Sequence, residues 1–153
     1  ISAFTMNYTE EAIGITRAAS SVDMPVVISF TVETDGKLPT GESLESAIEK
    51  VDEETDSAPE YYMINCAHPT HFNDVLNEND PWLKRIHGIR ANASSKSHAE
   101  LNESDVLDDG NPDEFGKQYY ELRNLLSNLN ILGGCCGTDH RHIDAISKAC
   151  INF

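Results

Sequence analysis

The sequence predicts an α/β fold of consecutive βα units laid on a parallel sheet, and three observations carry that expectation. Apolar runs of strand length, rich in β-branched residues, alternate along the whole chain with segments of helical periodicity. The runs are apolar almost throughout, the pattern of strands covered on both faces. Gly, Pro, Asn and Asp punctuate the junctions, so the elements follow one another in strict order.

The first run, "ISAFT" (1–5), leads to a helix in which Asn7 and Glu10 read as a capping pair and Ala12, Ile15, Ala19 and Val22 as the inward face. "PVVISFTV" (25–32) is the second strand. Ser43 then caps a helix whose Leu44, Ala47, Ile48 and Val51 fall at i, i+3, i+4 and i+7. "YYMINC" (61–66) is the third, followed by a weaker helical turn through Phe72, Val75 and Leu76 that ends before Pro81. "IHGIRAN" (86–92) is the fourth, and a long polar stretch, "ASSKSHAELNESDVLDDGN" (93–111), comes after it. Asn111, Pro112 and Glu114 give a cap, a proline at the first helical position and a glutamate three residues after the cap; Phe115, Tyr119, Leu122 and Leu126 supply the stripe. "NILGGCC" (130–136) is the last strand, and Thr138 caps a final helix facing inward through Ile143, Ile146 and Cys150. Right-handed crossovers reduce this series to an open doubly wound sheet or part of a closed (β/α) barrel. In either, chemistry collects at the C-terminal ends of the strands.

Composition narrows the partners. The 153 residues suffice for one domain with a core, and 26 acidic against 11 basic residues give a net charge of −15. That charge repels a phosphate backbone or an anionic bilayer, so neither nucleic acid nor membrane is expected. No apolar run is long enough to span a bilayer and no signal-peptide pattern is visible, which makes a cytoplasmic location the expectation. The chain opens at Ile1, inside an apolar run, as though entered midway. Four cysteines, two of them adjacent, do not form a spaced disulfide framework, and reduced thiols are expected.

Cys66 closes the third strand, and Cys135 with Cys136 closes the fifth, so three thiols should share one edge of the sheet. Cys150 falls on the core face of the last helix and reads as a small apolar residue. Three thiols suit a metal ion, since catalytic zinc sites use three protein ligands and keep one position for water or substrate. Gly133, Gly134 and Gly137 remove side chains around the pair and permit backbone angles that let both neighbours face one ion. Two other readings stay open: a structural Cys3His zinc site closed by His68 or His71, and a redox protein using the adjacent Cys135 and Cys136. His140 and His142, two apart on a helix, do not share a face. The polar stretch 93–111 should cover the same edge, because loops of that length seldom lack a role.

"MINCAHP" together with "ILGGCCGTDHRHIDAI" resembles the homocysteine S-methyltransferase family, whose signature is Asn-Cys at one strand end and Gly-Gly-Cys-Cys-Gly at the last. With "SFTVETDGKLPTGESL", the likeness runs along essentially the whole chain. The resemblance implies a (β/α)8 TIM-barrel type of fold with strands 4 to 8 and their helices present. Residues 1–153 would then be the C-terminal part of a single barrel domain without its N-terminal βα units, against the ~250 residues typical of that fold. It implies Zn2+ held by Cys66, Cys135 and Cys136. It also implies methyl transfer from a small cationic donor (S-methylmethionine, S-adenosylmethionine or betaine) to the homocysteine thiolate, giving methionine. No catalytic residue beyond the metal ligands is implied. Substrate contacts are expected from Asn65, Glu33, Thr31 and Asn92, with Asn65 best placed to orient the neighbouring ligand.

Two departures from the family pattern stand out. Where many members carry a glutamate at the end of the fourth barrel strand, this chain reads "SAFTMN", with Phe4 or a neighbour at that place. After the seventh strand it reads "RANASSKSHAEL" in place of Tyr-Pro-Asn-Ser-Gly. Recognition of the substrate amine then falls to Glu33 or to the absent units. Five strands leave sheet edges unpaired, so the 153-residue chain by itself is expected to be inactive.

Overall fold

A computed structural model describes residues 1–151 and contains one parallel sheet of five strands: β1 (Ser2–Met6), β2 (Val27–Phe30), β3 (Tyr61–Asn65), β4 (Ile86–Ala91) and β5 (Ile131–Gly134). Asn152 and Phe153 lie outside the described residues. Spatial order equals sequence order, β1-β2-β3-β4-β5. A doubly wound sheet reverses its order at a switch point, and no reversal occurs among these strands. The order is that of consecutive βα units, and it is compatible with part of a barrel.

Helices follow the strands as the periodicity requires: α1 (Thr9–Ser20), α2 (Leu44–Glu54), α3 (Pro69–Phe72), α4 (His98–Asn102), α5 (Pro112–Leu125) and α6 (His140–Ile151). Ser43 caps α2 by accepting the Ser46 N–H, and Leu44, Ala47, Ile48 and Val51 are buried. Asn111 caps α5 through Asp113 and Glu114 N–H groups, with Phe115, Tyr119 and Leu122 buried beneath.

Strand alternation sorts the two faces of the sheet. Ile28, Phe30, Tyr62, Ile64, Ile89 and Ala91 join the core under the helices. Ser29, Met63, Asn65, Gly88 and Arg90 occupy the opposite face, where Met63 fills the space that a side chain on Gly88 would take. That face is concave. The Arg90 guanidinium of β4 lies 5.2 Å from the Phe4 ring of β1, although two strands separate them in the sheet. With strands about 4.8 Å apart, a flat sheet would hold these backbones about 14 Å from each other. Asn65 of β3 likewise skips a strand, accepting the Thr5 N–H at 2.9 Å. Thr5 makes this possible by adopting φ +60 at an irregularity in the β1–β2 register.

Several local expectations are corrected. The Asn7–Glu10 cap does not form: Tyr8 precedes α1 without a side-chain bond, and Glu10 pairs instead with Lys50 of α2 at 2.7 Å. The buried face of α1 is Ala12, Ile13, Thr16 and Ala19, while Val22 sits past the helix end and is exposed. In α6 the buried series is His142, Ile146 and Cys150; Ile143 is turned outward. Thr138 does not cap α6 but bonds the Cys135 carbonyl, and Asp139 Oδ1 accepts the Arg141 N–H. Pro81 opens a 3-10 turn (Pro81–Arg85) that leads into β4. The stretch 93–111 is not wholly irregular, because a Ser97–Glu100 capping box folds α4 within it. The outer strands are only partly covered, unlike β2, all of which is buried.

Candidate metal centre

The sulfurs of Cys66, Cys135 and Cys136 lie within 4.8 Å of one another. Individual separations are 3.0 Å for Cys66–Cys135, 3.7 Å for Cys66–Cys136 and 4.0 Å for Cys135–Cys136. All are too long for a disulfide bond of about 2.05 Å, and the cysteines are free thiols. A zinc–thiolate bond of about 2.3 Å places the corners of a tetrahedron about 3.8 Å apart. Two of the three separations match that edge and the third is shorter, so the donor set fits such an ion.

The sheet ladder, running on past the strand ends, brings these residues together. Cys66 N–H donates to the Arg90 carbonyl at 3.1 Å, Cys135 N–H to Ala91 at 2.8 Å, and Ala93 N–H to Cys136 at 2.9 Å. Below them, the buried Tyr119 hydroxyl accepts the Ala91 N–H at 2.9 Å and donates to the Gly133 carbonyl at 2.5 Å, locking β4 to β5. Burial holds its phenol above the usual range. Cys66 itself takes φ +56, a left-handed conformation that a residue with a side chain rarely adopts. Its carbonyl is secured by Asn92 Nδ2 at 2.9 Å and His98 Nε2 at 2.7 Å, with the Thr31 hydroxyl at 3.5 Å.

Among the glycines, Gly137 has φ +76, and a side chain on Gly134 would collide with Thr138. The expectation that all three glycines supply unusual angles is therefore corrected. The left-handed turns are at Cys66 and Gly137, whereas Gly134 provides room.

Electrostatics favour a cation here. Burial, followed by the neighbouring thiols Cys135 and Cys136, pushes the Cys66 thiol up to about 12. Three sulfurs this close resist ionising together unless a positive charge joins them. A cavity of about 390 Å³ lies against Cys66 and Cys136, walled by Asn92, His98, Leu101, Val106, Leu107 and Asp108.

The expected substrate residues separate into two groups. Asn92 and Thr31 sit at the cysteine turns. Glu33 reaches the same edge through His98, whose Nδ1 is 3.1 Å from Glu33 Oε1. Asn65 does not touch its neighbour Cys66 through its side chain, contrary to expectation; its Oδ1 accepts from Thr5 N–H and Ser29 Oγ, and its Nδ2 donates to Thr5 Oγ1 at 2.8 Å. Through these bonds the amide ties β1 and β2 to β3.

Neither His68 nor His71 joins the cluster among the described residues. His68 Nδ1 accepts the Thr70 N–H and caps α3, and burial pushes its pKa down to about 4. His71 Nε2 bonds the Ser95 carbonyl at 2.8 Å. One residue, His98, escaped the sequence reading, and a second, His142, was weighed there only as sharing no helix face with His140. His98 was hidden in the polar stretch, although Ser97 and Glu100 spell a capping box around it. His142, buried in α6, accepts the Asp139 N–H at Nδ1 and donates from Nε2 to the Asp109 carbonyl at 2.8 Å. Its spacing with Ile146 and Cys150 is the signal that marks it.

No helix of the described residues is long and apolar enough to cross a membrane. A sequence-family model described as homocysteine S-methyltransferase matches residues 1–150. No curated protein matches the chain in a sequence search.

Proposed function

Since the chain belongs to the homocysteine S-methyltransferase family, we propose that it transfers a methyl group from a cationic donor to the thiol of homocysteine, giving methionine, with Cys66, Cys135 and Cys136 as ligands of a catalytic Zn2+. The observation that carries this reading is the convergence of three free thiols, with no histidine or carboxylate among them. Three is the ligand number of catalytic zinc sites, which keep one position for substrate. When bound, zinc supplies the charge that ionises a substrate thiol whose ordinary pKa near ~8.5 leaves it mostly protonated at neutral pH.

The chain's own residues supply placement. Asn92 and His98 hold the Cys66 turn. The cavity beside Cys66 and Cys136 gives the donor a place next to the sulfurs, and Asp105 and Asp108 in its wall favour a positively charged one. S-methylmethionine, S-adenosylmethionine and betaine share that charge. Attack on the methyl carbon releases an uncharged donor centre and calls for no proton relay, so no acid or base residue is assigned.

The five strands are read as strands 4 to 8 of a (β/α)8 barrel, and residues 1–153 as belonging to one such domain. Sequential strand order and concave curvature support this reading. A cytoplasmic setting fits, since free thiols persist in a reducing compartment.

Cobalt substitution tests the reading. Protein loaded with cobalt(II) should show a thiolate-to-metal absorption band that changes when homocysteine is added, and Cys66→Ser should lose the band. An unchanged spectrum on adding homocysteine would reject the assignment.

A further inference from the structure

The concave face carries a guanidinium that the chemistry above leaves unused. Ile89 and Ala91 of β4 turn toward the helices, so the Arg90 side chain between them crosses the concave face. It lies over the Phe4 ring at 5.2 Å and its Nε donates to the Gly134 carbonyl at 3.3 Å. Arg17, Arg85 and Arg141 each pair with a carboxylate. Among the described residues Arg90 has no such partner, and its terminal nitrogens bond no protein oxygen. In a chain with 26 acidic and 11 basic residues, a guanidinium clear of all those acids is set to receive an anion from outside.

Its position identifies the anion. The Arg90 carbonyl accepts the Cys66 N–H at 3.1 Å, and Gly134, which Arg90 bonds, directly precedes Cys135. Arg90 is thereby tied to both cysteine-bearing turns, to one through its backbone and to the other through its guanidinium. Building on the methyltransferase reading, we propose that Arg90 anchors the α-carboxylate of the thiol amino acid whose sulfur the three cysteines receive. Three carbons separate sulfur from carboxylate in homocysteine, and Arg90 is the residue that bonds the Cys66 turn through its backbone and the residue before Cys135 through its side chain. The Phe4 ring and the Gly134 carbonyl fix the plane of the guanidinium and leave its two terminal nitrogens for a bidentate carboxylate. Phe4 has a further consequence. A glutamate at that position would pair with Arg90 and occupy the anchor, whereas an aromatic ring holds the cation and leaves its charge available.

Calorimetry on the zinc-loaded protein tests the proposal with three thiols: homocysteine, 4-sulfanylbutanoate, which keeps the carboxylate and lacks the amine, and 3-aminopropane-1-thiol, which lacks the carboxylate. Arg90→Gln should weaken homocysteine and 4-sulfanylbutanoate by about ten- to hundredfold and leave 3-aminopropane-1-thiol unchanged. Arg90→Lys should recover part of the loss, since a lysine keeps the charge without the fork. Equal weakening of all three thiols would make Arg90 structural and overturn the proposal. So would an Arg90→Gln protein that binds homocysteine as well as the wild type. If the wild type binds none of the three, the methyltransferase reading falls and the anchor falls with it.

Discussion

Asn92 donates from its side-chain amide to the carbonyl of Cys66 at 2.9 Å. The same amide accepts the Cys136 N–H through Oδ1 at 3.1 Å, so one side chain joins two turns that are 70 positions apart in sequence. Both halves of the amide are needed, because one end must donate and the other accept. Asn92→Asp and Asn92→Ala should each weaken zinc binding by about 10–100-fold while the fold persists, the scale on which residues supporting a metal ligand act. Competition against a chromophoric chelator measures this. Wild-type affinity in Asn92→Asp would rule out the bridge as a device for spacing the sulfurs.

The cysteines should divide three to one. Replacing Cys66, Cys135 or Cys136 with serine removes a sulfur from the cluster, and each variant should lose stoichiometric zinc after dialysis. Cys150 is buried on α6 against the core, so Cys150→Ser should keep the metal and lose stability. His68→Ala should also keep it, because His68 caps α3. Metal analysis of the five proteins decides between an open three-sulfur centre and one closed by histidine; loss of zinc in His68→Ala would favour the latter.

At the other end of the strands, Tyr62, Asp52 and Arg85 form a group remote from the sulfurs. Tyr62 donates to Asp52 at 2.7 Å, and Arg85 grips the same carboxylate with contacts of 2.8 and 2.9 Å. Burial, then the bond to Asp52, raises the Tyr62 phenol above its ordinary value. The folded state therefore favours the protonated form. Below the unfolded phenol pKa of about 10 this contribution is fully present, and it declines as pH rises past that value because only the unfolded chain ionises. The urea midpoint of the wild type should fall more steeply above about pH 10 than that of Tyr62→Phe. Parallel profiles for the two proteins would contradict the assignment.

Two glycines should respond in opposite directions to alanine. Gly137 has φ +76, and a β-carbon there would lie 2.8 Å from the Asp108 carbonyl oxygen. Gly137→Ala should destabilise by at least about 1–2 kcal/mol from the backbone conformation alone, and it should weaken zinc binding by displacing Cys136. Gly14 lies within α1 with open space around it, and Gly14→Ala should stabilise by about 0.5–1 kcal/mol without touching the metal. Denaturation midpoints of the two variants check both signs.

Much of the fold was legible in the chain. Leu44, Ala47, Ile48 and Val51 announce α2, and Asn111 with Pro112 announces the start of α5, because helical faces and caps depend on residues within a few positions of each other. The meeting of Cys66 with Cys135 and Cys136 was legible for a different reason. Parallel βα units put every strand C-terminus at one edge, so cysteines at two strand ends share that edge. The first helix was harder to read, since Glu10 had a stronger partner in Lys50 than in its own helix N-terminus. That competition is invisible until α1 and α2 are side by side.

By itself, then, the sequence determined the order of the elements, the faces of the principal helices and the edge at which three thiols collect. Tertiary structure alone decided that Asn92, not Asn65, ties the cysteine turns together, that His98 reaches the Cys66 carbonyl, and that Arg90 lies over Phe4 across two intervening strands. The difference has a physical cause. Periodicity and capping are fixed by covalent neighbours, whereas contacts between side chains on separate strands depend on register, on the left-handed residue at Thr5 and on the curvature of the whole sheet. These arise from the packing of every element at once.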